Sequence, residues 1–174
     1  MRSLLRMFAL PALVVMLNPG LASAFSATVG QPASALVLPM LDGTTFDLSA
    51  ERGKVVLIHL WASWCPACRA EMPAIEDLYK RYHADGLTVI AVSADRPHDK
   101  NAAVKVMESF SFPAGMLNDA TSNGFGPPSS LPVTIIVDRD GVVRDAFTAD
   151  ETLTSASLTA SVSPLMEAQR TAQH

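Results

Sequence analysis

Cysteine is almost missing from this sequence. The 174-residue chain holds two, Cys65 and Cys68. A framework of structural bridges is excluded, because a bridge across two intervening residues removes little entropy from the unfolded chain. A four-ligand zinc site is excluded with it, since no second Cys/His pair stands at a suitable spacing. Covalent haem attachment needs a histidine after the second cysteine, and Arg69 occupies that place. Runs of lysine or arginine are also lacking, so nothing reads as a nucleic-acid surface. Beyond residue 24 no apolar run is long enough to cross a bilayer. No internal repeat or interdomain linker is visible, and the length suits one domain with its own core.

The first 24 residues stand apart. Arg2 and Arg6 give a basic start, residues 7–17 form an apolar run of eleven interrupted by Pro11, and Ala22-Ser23-Ala24 follows Asn18-Pro19-Gly20. Charge, apolar stretch and small residues in that order read as a secretory signal cleaved after Ala24. The competing reading is an uncleaved anchor, but eleven helical residues span only about 16 Å, roughly half a bilayer core. Cleavage would leave 11 basic against 17 acidic side chains, a formal charge of −6. That acidity reads as ordinary solubility. Export also gives the two cysteines a context in which redox work explains them better than structure does.

Residues 26–34 are a small-residue lead-in containing Pro32, so 25–34 read as a flexible arm, followed by a domain over 35–170. Asp42-Gly43 is a hairpin signal between short strands at 35–38 and 45–48. Residues 54–61, Lys-Val-Val-Leu-Ile-His-Leu-Trp, predict a strand buried on both faces. A helix is expected over 66–83, with Pro66 in its first turn and Met72, Ile75, Leu78, Tyr79 and Tyr82 on one face. Pro73 lies inside it and predicts a kink. A second buried strand is expected at 87–92, and a helix at 99–110 with Val104, Met107 and Phe110 turned inward and Val106 as a further candidate. Residues 116–117 read as a short strand and 121–130 as loop. Strands at 132–138 and 142–147 form a hairpin about Arg139-Asp140-Gly141. A last helix covers 152–168 with Leu153, Leu158, Val162, Leu165 and Met166 as its stripe. The class is α/β. Strand-helix-strand implies a parallel pair with a right-handed crossover, the hairpin adds an antiparallel strand, and helices are expected on both faces of a mixed sheet.

Cys65 directly follows a buried strand and directly precedes a helix. The free amides and the dipole at a helix N-terminus favour a thiolate there, and the thiolate is the form that attacks disulfides. Cys68 lies one helical turn on and can reach the same sulfur. Cys65 would attack a partner's disulfide, and Cys68 would then attack Cys65 and release the partner reduced. Run backwards, the cycle oxidises the partner.

Residues 54–73, ending Trp-Ala-Ser-Trp-Cys-Pro-Ala-Cys-Arg-Ala-Glu-Met-Pro, resemble the active-site segment of the TlpA-like, ResA-like branch of the thioredoxin superfamily. Leu131-Pro132 and the strands after it resemble that family's cis-proline and final hairpin, and residues 38–48 its lead-in hairpin. The resemblance spans about residues 35–143. It implies a thioredoxin-like fold with an N-terminal β-hairpin extension. It also implies an exported or membrane-anchored bacterial protein that reduces disulfides of selected partners with electrons from a thiol donor, without a cofactor. It implies that Pro132 is cis and faces the cysteine pair, presenting the Leu131 backbone to a substrate. Glu71 matches a glutamate of the ResA-like pattern; proton exchange with a cysteine, partner contact and a solvated helix glutamate are its open readings. His59 departs from the family, which has a buried acid or asparagine there. It is either a hydrogen-bonded core histidine or a base that accepts the Cys68 proton. Trp64 reads as binding surface and Trp61 as core, while Asp95, His98 and Asp99 read as a solvated helix start.

The leading function is thus a periplasmic thiol–disulfide oxidoreductase acting as a reductase on protein disulfides, with Cys65 and Cys68 catalytic. A dithiol oxidase or isomerase is the alternative of the same class, since thioredoxin-fold potentials span about −270 to −120 mV. A thiol peroxidase is disfavoured by Ala62 and Ile58, which stand where that pattern has threonine and proline. A non-enzymatic alternative is a Cu(I)-handling module on the same two thiolates, for which Met72 and His59 are the only extra ligands in sight. No nucleic acid is expected as partner, and no stable membrane insertion if the signal is cut.

Overall fold

The computed structural model describes residues 25–172, and the signal segment expected over 1–24 lies outside the described residues. Among the described residues no helix is long and apolar enough to cross a membrane.

Strand β3 (Val55–Trp61) is the axis of the molecule, with all seven of its residues buried. It pairs in parallel with β4 (Leu87–Ser93) and antiparallel with β7 (Val133–Val137). Beyond these lie β5 (Ala114–Met116) and β8 (Val143–Phe147), giving a mixed five-stranded sheet of order β5-β4-β3-β7-β8. Side chains alternate across a strand, so β3 serves two cores at once. Val55, Leu57 and Trp61 face the helices. Val56, Ile58 and Leu60 face the opposite way. Each aliphatic side chain buried in this way contributes about 1.5–3 kcal/mol.

One face of the sheet carries α1 (Pro66–Tyr82), which joins β3 to β4, and the C-terminal α3 (Ser155–Ala172). Met72, Ile75 and Leu78 of α1 meet Leu158, Val162 and Met166 of α3 in the helix-side core. The short α2 (Lys100–Met107) joins the same cluster through Ala103 and Met107. The expectation of helices on both faces is therefore corrected. The other face is covered by a small sheet made of β1 (Leu36–Pro39), β2 (Thr45–Asp47) and β6 (Ser122–Asn123). Leu36, Leu38, Met40 and Phe46 from this sheet, with Phe125, close the second core. Burial alternates along β1 and β2, so one side of the small sheet is enclosed and the other is not, which suits a sheet lying on a sheet.

α1 and α3 are continuous helices through Pro73 and Pro164, both of which are exposed on the solvent side. Several other expectations shift. A single-turn 3-10 segment, Pro97–Asp99, leads into α2, and the inward stripe falls on Ala103 and Met107. Val104, expected inside, is 37% exposed. β6 lies within the stretch read as loop. β7 begins after Pro132, whose missing amide cannot join a ladder, and the Leu131–Pro132 bond is cis. Residues 25–34, expected as a flexible arm, are tied down. The Ser26 amide donates to the Phe125 carbonyl, Gly30 and Val143 amides exchange bonds with the Val143 and Gln31 carbonyls, and the Phe25 and Phe125 rings stack. Composition alone hid this, because most of these contacts are made by backbone groups and the Phe25 ring finds its partner 100 residues away.

The small sheet meets the large one at Gly115, which forms a bridge with Met40. A Cβ at Gly115 would stand 2.8 Å from the Pro39 carbonyl oxygen and 2.5 Å from Leu38 Cδ1. The carbonyl is backbone and cannot swing aside. Gly115→Ala is expected to cost about 1–3 kcal/mol by overpacking. Urea unfolding should show a lower midpoint with an unchanged slope.

Candidate active site

The site lies where β3 ends and α1 begins, at the carboxyl end of the parallel strands, where open α/β sheets carry their ligands. Cys65 is the N-cap of α1, with extended backbone, and Pro66 opens the helix. Its sulfur accepts the Cys68 amide at 3.2 Å, so one free amide of the helix start already points at it. Cys65 and Cys68 form a disulfide with Cα atoms 5.4 Å apart. Cys65 is 5% exposed and Cys68 fully buried. The pair is thus unequal: only the first sulfur meets the outside. Trp64 beside it is 66% exposed, the largest apolar exposure near the pair, while Trp61 is core as expected.

The remaining sequence-derived candidates separate by element. Pro132 immediately precedes the register pair Leu60–Val133, at the end of the sheet from which β3 runs on to Cys65. His59 and Glu71 come together beneath the cysteines. His59 lies on the helix-facing side of β3, fully buried, and Glu71 lies one turn past Cys68 on α1, 8% exposed. The solvated reading of Glu71 is therefore wrong. His59 Nδ1 is 2.9 Å from Thr134 Oγ1, its register partner on β7, and 4.0 Å from Glu71 Oε2. Glu71 Oε1 accepts the Leu153 amide at 3.4 Å. His59 Nε2 has no hydrogen-bond partner among the described residues.

Burial sets the protonation of both groups. Desolvation pulls His59 down to about 4, against a smaller opposing effect of the Cys68 main chain. Desolvation pushes Glu71 up to about 7, opposed by the bond from Leu153. Around pH 6 both are neutral, so the pair is a carboxylic acid beside an uncharged imidazole and not an ion pair. Such a carboxyl is poised to take up or give up a proton near neutral pH.

Asp95 was missed. Read as part of a solvated helix start, it is fully buried. Its carboxylate accepts the Ser63 amide at 2.8 Å and the Ser63 hydroxyl at 2.7 Å, together with the Ser93 hydroxyl. It thereby fixes the turn that delivers Trp64 and Cys65. The signal lay in the parallel register. Trp61 pairs with Ser93, so two residues further on Ser63 falls opposite Asp95.

Fold and site together define a thiol–disulfide oxidoreductase of thioredoxin fold. The chain belongs to the Redoxin family, whose model matches residues 28–162. It is 38% identical over 119 residues to the thioredoxin-like protein YneN of Bacillus subtilis, covering 67% of this chain and 69% of that one. It is 34% identical over 127 residues to the thiol-disulfide oxidoreductase ResA of Geobacillus thermodenitrificans, covering 71% of each. Among solved structures, a DsbF homologue from Corynebacterium diphtheriae superposes with a TM-score of 0.66 at 22% identity, over 85% of this chain and 96% of that one. That likeness concerns the fold.

The two buried groups pull stability in opposite directions with pH. Glu71 is raised in the folded state, so its contribution is present below the unfolded value of 4.5 and is lost as pH rises through about 7. His59 is lowered, so its contribution is present above 6.5 and is lost as pH falls through about 4. Between those limits the slopes offset. Glu71→Gln should uncover the acid-side loss, and the variant should gain on the parent as pH rises from 5 to 8. His59→Asn should uncover a fall in stability across the same range. Denaturant midpoints of the oxidised proteins measured against pH check both signs.

Proposed function

We propose that this protein is exported and reduces disulfides of selected partner proteins, with Cys65 as nucleophile and Cys68 as resolving thiol. The observation that carries the mechanism is the unequal exposure of the two sulfurs at the start of α1. In the reduced protein the Cys65 thiolate attacks one sulfur of the partner's disulfide. A Cys65–partner bond forms, the partner's S–S bond breaks, and its second sulfur leaves as a thiolate that takes a proton. Cys68 then loses its proton and attacks Cys65 Sγ, forming the internal disulfide and expelling the partner's first sulfur. The partner gains two electrons and two protons, and the Cys65–Cys68 pair gives up the same. An external thiol donor must restore the dithiol.

Glu71 is assigned the proton traffic. It shares the inner face of α1 with Cys68 at a spacing of three, and a pKa of about 7 suits a group that accepts and returns a proton at neutral pH. His59 and Thr134 hold the floor of that site. Pro132, cis at the mouth of β7, is assigned the presentation of the Leu131 backbone to the partner. The basic, apolar and small-residue order of residues 1–24 supports export through a cleaved signal to the periplasm. The reductive direction rests on the resemblance to the ResA-like branch. The Cu(I)-handling alternative is less well supported, because Met72 and His59, its extra ligands, are both fully buried.

Two measurements test this. Cys68→Ser should accumulate a mixed disulfide with a peptide disulfide, seen as an intact-mass adduct, and Cys65→Ser should form none. Equilibration against glutathione or dithiothreitol should place the pair towards the thioredoxin value of about −270 mV. A value near −120 mV would reverse the proposed direction and make the protein an oxidant.

A further inference from the structure

A groove of about 1000 Å³ opens beside Cys65 and runs between the first turns of α1 and the outer side of α2. Trp64 forms its near end, and Val106 and Phe110 supply apolar wall. Arg69 and Lys105 line it from the two helices, and both are exposed. Among the described residues no carboxylate lines the groove, and neither cation is in an ion pair. This is notable in a chain with an excess of acidic over basic residues. Two cations left without partners on an otherwise acidic protein mark a place where negative charge is to be received. An exposed tryptophan at its end supplies the rigid apolar anchor that protein interfaces favour.

The groove's position says which part of a partner would occupy it. Anything reaching the Cys65 sulfur passes Trp64, so the chain flanking the partner's reactive cysteine is what enters. Arg69 stands four residues past Cys65, about 6 Å along the helix. An extended segment covers that distance in about two residues. We infer that the partner recognised at this site is an extended protein segment carrying carboxylate side chains within a few residues of its disulfide cysteine, received by Arg69 and Lys105 with Trp64 as apolar anchor. This rests on the thiol-exchange reading above and adds to it a substrate preference. The charges steer the encounter and bias which disulfides react, while the sulfur chemistry stays with the cysteines.

The test uses three short peptides, each with one cysteine capped by 2-mercaptoethanol as a mixed disulfide. They carry aspartate, glutamine or lysine at positions two and four residues from the cysteine. Second-order rates with the reduced full-length protein are divided by the rates of the same peptides with dithiothreitol, which removes the peptides' own differences in reactivity. The aspartate peptide should react about fivefold to tenfold faster than the lysine peptide at low salt, and the ratio should shrink with added salt. Arg69→Gln with Lys105→Gln should bring the ratio close to one. Lys105→Gln alone, on α2 and away from the sulfurs, should lower it partway. An absent preference in the parent protein, or one unchanged in the double variant, would overturn the inference. Failure of the parent to react even with the glutamine peptide would instead remove the thiol-exchange reading itself.

Discussion

Everything in this molecule depends on β3 being buried on both faces. A strand with water on one side could leave half its residues polar. Here every position from Val55 to Trp61 is enclosed, so each residue's parity decides which core it joins. The odd positions bring Leu57, His59 and Trp61 beneath α1, and the even positions hold the hairpin sheet. The same constraint fixes where the strand must stop. Past Trp61 the chain leaves the sheet, turns under the hold of Asp95, and presents Cys65 as the N-cap of α1.

The parity of β3 also explains why one polar residue can sit within so apolar a strand. His59 is tolerated because Thr134 stands opposite it in register and meets Nδ1. Glu71 approaches from the helix above at 4.0 Å. Neither carries charge near pH 6, and this spares the core the cost of an isolated buried ion. An arginine at position 59, which keeps its charge even when buried, would lack that escape. The buried polar layer is thus compatible with a dry core because both of its titrating members can be neutral together.

What could be read from the sequence was local. The unbroken apolar run at 54–61, the Asp42-Gly43 turn, and the helix opening at Pro66 with its two cysteines are patterns carried by neighbouring residues. The roles proposed for Cys65 and Cys68 rest on that helix start and on the unequal exposure of the two sulfurs. What could not be read was long-range. Ser122 and Asn123 become a strand only because β1 offers them its edge. The stretch 25–34 has no periodic apolar pattern, and it is anchored by main-chain amides and carbonyls together with the single large side chain of Phe25. Asp95 looked like a surface acid because the partner that takes most of its carboxylate, Ser63, is 32 residues away. Val104 was misplaced because a step of three or of four back from Met107 both fit a helix, and the structure takes the step of four to Ala103.

The anchored stretch before β1 has a consequence of another kind. A sheet's outer strands are templates on which other chains can polymerise. Pro32 bridges to Val142, and the residues beside it bond to Val143, so the start of β8 is occupied from outside. At the opposite border β5 is three residues long and is crossed by the chain around Met40 and Leu41. A proline at one border and a brief, crossed strand at the other leave little for a neighbouring molecule to extend. The same lead-in that completes the second core thus also protects the sheet against edge-to-edge aggregation.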